Sequence, residues 1–268
     1  MSVSREELAV LLRLLKIGSL PGFDLSWLHL APDGSVGRDE LPALEAATNA
    51  LVARGFLEVA PPKPGQTSQG VSLPAPLVGL IRACAASTIT IRLALLTSHG
   101  DIPIYLHELE GVCVAHTVPQ PDIHQFLLLS GRRGMLDALA TFMGLDQQPS
   151  LALPPGLVIG QQFQPARDAA LLGRVDAAAG MFAAAGLAAP TAGALAQSVA
   201  TARTIGLCSI AVRAENGEVR RTDFAFIIAP GACFVISAVA ADPGTLEVRP
   251  ASATEVRAHI VSQLPRTA

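Results

Sequence analysis

The run from Phe224 to Ala241 reads FAFIIAPGACFVISAVAA and carries no charge over 18 residues. Its length and polarity would suit a membrane-spanning helix. Pro230-Gly231 at its centre argues otherwise, because proline breaks a helix and the pair is a turn signal. The residues around it are β-branched or aromatic, which favours strands. The spacing therefore predicts two buried antiparallel strands, Val219–Ala229 and Cys233–Val239, joined by a tight turn. No membrane span is expected.

Working outward from that hairpin, Asp242-Pro243-Gly244 turns the chain into a further strand, Thr245 to Arg249. Ser252-Ala253-Thr254-Glu255 is a capping box opening the last helix, with Val256, Ile260, Val261 and Leu264 inward. Upstream, Asn216-Gly217 predicts a type I′ turn with positive φ at both central residues. It joins Val219–Ala229 to a strand at Ile205–Arg213. Before these lie two helices, one from Pro165 to Gly186 and one over Thr191–Ala202. They follow a proline-rich connection, DQQPSLALPPG, at Asp146–Gly156.

The first half reads similarly. Ser4 and Glu7 make a capping box, and Leu8, Leu11, Leu12 and Leu15 form one helical stripe. Gly18 is read as the stop. A second helix covers Asp39–Arg54, ended by Gly55, and Phe56–Val59 is a short strand. Residues 60–74, rich in proline and glycine, read as a loop, and Leu77–Ala86 as a helix. Strands follow at Ser87–Thr97, Ile102–Leu109, Val112–Val118 and His124–Leu129, with a turn at 98–101, then a helix over Arg132–Met143. Trp27 sits in a strand-like run, Leu25–Leu30, and reads as a core anchor.

The two halves match in order: strand, turn, strand, turn, strand, short strand, helix. Matched landmarks are Ser98 and Ala214, Gly111 and Gly231, Cys113 and Cys233, and Arg132 and Ser252. The last three pairs are offset by 120 residues. Repetition at a constant offset predicts an α+β protein of two pseudo-symmetric halves, antiparallel sheets flanked by helices.

Composition sets the limits. The 268 residues are 50% hydrophobic and 15% charged, fewer charges than the roughly 25% of an average soluble domain. A chain this long buries about three quarters of its unfolded surface and needs no metal or disulfide staple. The low charge hints at an oligomer, such as a homodimer, or at a protein partner. Net charge is −3, without the basic patch that nucleic acids require. The second helix carries Asp39, Glu40 and Glu45 against Arg54, so a winged-helix reading of the N-terminal segment does not favour DNA. Cys84, Cys113, Cys208 and Cys233 form no CxxC pair, and the start MSVSREEL has no apolar signal core. Reduced, buried thiols and a cytoplasmic location are expected.

Three phrases and the repeated strand order, taken together, resemble the EspG family, the secretion-associated chaperones of type VII secretion. The phrases are Gly18-Ser19-Leu20-Pro21 after the first helix, Leu51-Val52-Ala53-Arg54-Gly55-Phe56-Leu57 at the end of the second, and Val248-Arg249-Pro250-Ala251-Ser252 before the last helix. The resemblance implies a single EspG-like domain over 1–268, with halves 1–145 and 157–268 joined by the proline-rich connection. It implies a cytoplasmic chaperone or adaptor that holds a helical secreted protein, PE/PPE-like or WXG-type, without ATP. The long loop at 60–74 and the short turn at 98–101 depart from the family and bear on which partner is bound.

No catalytic, cofactor or metal residue is assigned from the sequence, and the chain is not read as an enzyme. His107, Cys113 and His116 make zinc conceivable, but no fourth ligand follows and HELEG is not H-E-x-x-H. G-x-S-x-G, S-x-x-K and both glycine-rich nucleotide loops are absent. The partner-binding residues are unknown; loop 60–74 and the surfaces of the terminal helices are the places to look. The alternative reading is a winged-helix-type regulator or a ligand-sensing protein.

Overall fold

The computed structural model describes residues 1–28, 37–60, 70–97, 100–145 and 151–265. The chain begins β1 (Ser2–Ser4), α1 (Arg5–Leu14), β2 (Ser19–Leu20), β3 (Phe23–Asp24), α2 (Leu41–Ala53), β4 (Glu58–Ala60), β5 (Gly70–Ser72) and α3 (Ala75–Ala85). Strands β6 (Ile89–Thr97), β7 (Gly100–Leu109), β8 (Val112–Gln120) and β9 (Ile123–Leu129) follow, then α4 (Gly131–Met143). The second half runs β10 (Gly156–Ile159), α5 (Gly160–Leu171), α6 (Val175–Ala184) and α7 (Ala189–Ala200). It ends with β11 (Thr204–Arg213), β12 (Val219–Ala229), β13 (Ala232–Val239), β14 (Asp242–Pro250) and α8 (Ala253–Gln263). The fold is α+β, and the strand pairings whose register is described are antiparallel.

Two compact units form: Met1–Thr88 with Pro103–Met135, and Ile89–Ile102 with Leu136–Ala268. The first has strands in the order β1-β9-β8-β7 and the second β6-β11-β12-β13-β14-β10. Each half opens with a short strand that runs straight into a helix and pairs with that half's last strand. Thus β1 leads into α1 and lies on β9, and β10 leads into α5 and lies on β14. Gly111 and Gly231 occupy equivalent hairpin turns at positive φ, and Cys113 and Cys233 are both fully buried one residue into the next strands.

Local chemistry explains the helix ends. Both capping boxes form: Ser4 accepts from Glu7 N–H while the Glu7 carboxylate accepts from Ser4 N–H, and Ser252 and Glu255 do the same. At the end of α2, Gly55 takes φ 72°. Its N–H donates to Val52 and Phe56 N–H donates to Leu51, the two bonds of a Schellman stop. The helix expected to run from Pro165 to Gly186 is instead two helices. Gly173, at φ 76°, closes α5 with the same pair of bonds, to Ala170 and from Arg174 to Ala169. The stop of α1 is Lys16 at φ 56°, not Gly18.

Turn types also depart in one place. Asn216-Gly217 does not form a type I′ turn: of the two only Gly217 has positive φ. Ala214 carbonyl accepts from Gly217 N–H and Ala214 N–H donates to Glu218, a three-residue hairpin ending in a left-handed glycine. The type I′ geometry belongs to Glu110-Gly111, with φ of 49° and 82°. The strand-like run at Leu25 is a turn instead, and residues 29–30 lie outside the described residues, as do 61–69, 98–99 and 146–150 of the predicted loops, turn and connection.

In the first unit α1, α2 and α3 pack Leu8, Leu11, Leu12, Leu51, Ile81 and Cys84 against Val3, Val114 and Phe126 of the sheet. In the second unit the sheet is covered on two sides. One face carries Phe234, Ile227, Ile236 and Val248 into the bundle of α5, α6 and α7. The other turns Phe224, with Phe226, towards α8, where Phe224 meets His259 edge-on at 5.3 Å between ring centres.

Candidate functional site

Strand alternation fixes what each face of the second unit offers. On β6, Ile89, Ile91 and Leu93 are buried, while Arg92, Ala94 and Leu96 lie on the opposite face. On β11, Cys208 and Ile210 are buried, while Ile205 and Leu207 share the face of Ala94 and Leu96, because Leu207 pairs with Ala94. This is the face that α5, α6 and α7 cover over β12–β14. They leave it open over β6 and β11.

The result is a solvent-open groove of about 430 Å³. Its floor is Ala94, Leu96, Ile205 and Leu207, and one bank is Phe163 and Arg167 of α5. Leu96 is 44% exposed and Leu207 38%. Gly206 keeps the strands close: a Cβ there would lie 2.7 Å from the Phe226 ring and 2.9 Å from the Ala94 carbonyl. At one end Arg92 pairs across to Ser209, and Arg221 bonds Asp223 at 2.9 Å. Arg92, Asp101 and Arg167 are the charged residues of the groove's described lining. The floor offers apolar contact with a charged margin, which suits the side of an amphipathic helix.

Histidine and cysteine positions are separated by the same alternation. His107 and His116 point to the helix side of the first unit's sheet, whereas Cys113 points to the other, beside Glu108 and Arg132. They do not converge as ligands. Among the described residues no group of three or more His, Cys, Asp or Glu side chains is placed to hold a metal ion. Arg132 makes a two-pronged bond to Glu108, at 2.6 and 2.8 Å, and that hydrogen bond holds the guanidinium's proton all the more firmly. All four thiols are buried and unlinked. Burial pushes Cys84 and Cys233 up to about 12 and Cys113 to about 11, so none is an activated nucleophile.

His116 instead gathers other rings. Its Nε2 lies 2.9 Å from His124 Nδ1, Phe126 stacks on it at 4.5 Å, and Tyr105 at 5.5 Å. The sequence did not single out His124, which is brought to His116 across a bulged stretch of β8 and β9. Burial holds His107 down to about 4. Burial, reinforced by His124 and His107, holds His116 down to about 3. Its Nδ1 makes no hydrogen bond of ordinary geometry, while the Pro21 backbone acts in the opposite direction to burial.

The other places of interest differ. Within the segment 60–74 read as a loop, Gly70–Ser72 instead form β5, paired with β4, because the two short runs satisfy each other's backbone; the residues of both strands are exposed, Val59 and Val71 among them. Of the terminal helices, α1 is largely buried and α8 shows Val261 to solvent at 46% exposure. Trp27 is half-buried, with the Arg5 guanidinium 4.0 Å above its ring.

No family profile matches this sequence, and no curated protein matches it. A search of solved structures does find a likeness. The type VII secretion system chaperone EspG5 of Mycobacterium tuberculosis, solved in complex with the PE25-PPE41 dimer, superposes with a TM-score of 0.64. The match covers 100% of this chain and 98% of that one, at 11% sequence identity. At that identity the likeness speaks for the fold: this chain has an EspG-like fold from end to end.

Proposed function

We propose that the chain is a cytoplasmic, ATP-independent chaperone that holds a helical secreted protein on the open apolar strip of β6 and β11. The observation that carries the reading is the strip itself. Large apolar side chains left exposed side by side on a sheet, beside a helical bank, mark a contact surface. Most of the groove's described lining is apolar, with Arg92, Asp101 and Arg167 as its charged members. The EspG-like fold supports the same reading, since the solved chaperone of that fold is bound to the PE25-PPE41 dimer. Among the described residues no helix is long and apolar enough to cross a membrane, which fits a chaperone that meets its client before export.

The client is a helical pair of the PE/PPE-like or WXG type. Its exposed tip would place apolar residues at helical spacing over Leu96 and Leu207, with Arg92 and Arg167 at the margin. The test is co-expression of this chain with such pairs from the same genome, followed by affinity purification and size-exclusion chromatography. A stoichiometric complex that Leu96→Asp abolishes, with far-UV circular dichroism unchanged, supports the reading. Recovery of the chain alone with every pair, or a complex indifferent to Leu96→Asp, overturns it.

A further inference from the structure

The imidazole cluster of the first unit is not used by the docking strip. It consists of side chains that an ordinary core would fill with leucine. His107 and His116 are fully buried and His124 is 4% exposed. The rings form a continuous stack. Phe126 lies on His116 at 4.5 Å, Tyr105 lies on the same ring at 5.5 Å, and His107 is 6.4 Å from it.

The His116–His124 bond admits one proton and no more. With both rings neutral, one nitrogen donates and the other accepts across 2.9 Å. If His124 is protonated it donates from Nδ1, and His116 still accepts at Nε2. If His116 is protonated as well, two N–H groups face each other and the bond is lost. Buried cations without partners are costly, so acid favours any conformation that admits water to the pair.

The short element that lies against the pair is the β2–β3 hairpin. Its strands join through two residue pairs, Ser19 with Asp24 and Leu20 with Phe23, and Leu20 is its one buried anchor among residues 19–24. Phe23 meets His124 edge-on at 5.0 Å. Gly22 sits against Tyr105 so closely that a Cβ would lie 2.5 Å from its ring. Just beyond, Trp27 lies under Arg5, which also bonds Asp122 at 3.4 Å. We propose that the β2–β3 hairpin is an acid-sensitive cover over the His116–His124 pair, lifting off at mildly acidic pH while the strands beneath stay folded.

The surrounding charges fit a cover on the hairpin side. On the neighbouring elements are Tyr105 and His107 of β7, Asp122 before β9, Arg5, Glu6, Glu7 and Arg13 of α1, Arg82 and Cys84 of α3, and Asp24 of β3. Glu7 is held by Arg54 and Asp24 by Ser26. Of these groups Asp122 draws a proton towards His124, against the effect of burial. Cys84 stays neutral.

The direction follows from the neutral rings. Histidine in an open chain titrates near 6.5, and burial depresses all three here. The closed form is therefore fully favoured above pH 6.5 and loses ground as pH falls from there towards about 4 and then about 3. Opening coupled to one proton becomes about tenfold more populated for each pH unit in that window.

Trp27 is the chain's one tryptophan, so its fluorescence reports the segment directly. The measurement is tryptophan emission and far-UV circular dichroism of the full chain from about pH 7.5 to about pH 4.5. The expected result is an emission transition that sets in as pH falls below 6.5, with the dichroism unchanged. The double variant His116→Gln and His124→Gln should lose that transition. Hydrogen exchange of the wild type, corrected for intrinsic rate, keeps the test decisive should the variant not fold. Residues 19–28 should speed up about tenfold per pH unit while 104–117 do not. A flat emission curve, an emission change that tracks loss of dichroism, an unchanged midpoint in the folded double variant, or uniform exchange each overturns the proposal.

Discussion

Arg54 shows how far one side chain reaches in this fold. Its Nη1 bonds both oxygens of Glu7, at 2.8 and 2.9 Å, and its other Nη bonds the Ser2 carbonyl. Its guanidinium also lies 4.7 Å from the Phe56 ring centre. Glu7 therefore serves the N-cap of α1 and the C-terminus of α2 at once. Glu7 is nearly buried and Arg54 is 41% exposed, so solvent weakens the pair without dissolving it. Arg54→Ala should cost about 1–2 kcal/mol in urea unfolding, and Arg54→Lys should recover only part, because one ammonium cannot reproduce the fork. A loss below about 0.5 kcal/mol would mean the contact is surface decoration. The capping box is legible in the sequence because its members are three residues apart. The Arg54 contact is not, because 47 residues separate it from Glu7. His124 is hidden for the same reason: nothing local says that a bulge will carry it to His116.

Elements were legible where their ends carry a local signal. Gly55, Gly144 and Gly186 all close helices at positive φ, at or near the positions that the apolar spacing predicts. Gly173 does so too, but it falls inside a spacing from Leu171 to Phe182 that stays helical in phase, so the break between α5 and α6 was invisible to periodicity. The short strands β1 and β10 were missed because three or four residues carry no period; they exist through pairing with β9 and β14. Lys16 offers a test at this scale. It ends α1 in the left-handed region, with its N–H on Arg13 and the next on Leu12, where α2, α4, α5 and α6 use glycine. A Cβ is strained there, and its removal outweighs the entropy glycine adds to the unfolded chain. Lys16→Gly should therefore raise stability by about 0.5–1 kcal/mol, read as a higher urea midpoint at constant slope. A lower midpoint would show that the long side chain packs on its neighbours more strongly than its backbone is strained.

Across the molecule, the repeated strand order was legible because turns punctuate both halves alike, and the EspG-like fold agrees with it. The docking strip was not legible. A strand such as TIGLCSIAVR is apolar on both faces, and sequence alone does not say which face the helices leave uncovered. The structure answers through register: Leu207 lies beside Ala94 on the open side, while Cys208 is fully buried on the other. Adjacent residues of one strand should therefore respond in opposite ways to the same substitution. Leu207→Asp places a carboxylate at a site already 38% exposed, so thermal unfolding should move little while binding of a helical client is lost. Cys208→Asp buries an unpaired charge against Phe224 and its neighbours, a cost of several kcal/mol set against a typical total of about 5–15 kcal/mol. That variant should be recovered unfolded or not at all. If Leu207→Asp proves as damaging as Cys208→Asp, the strip is core covered by something else, and the docking face must be sought on another surface. If both variants fold well, the register that defines the two faces is itself in error. The contrast between neighbouring positions thus tests the sheet's two-sidedness and the proposed contact surface in a single pair of melting curves and one binding assay.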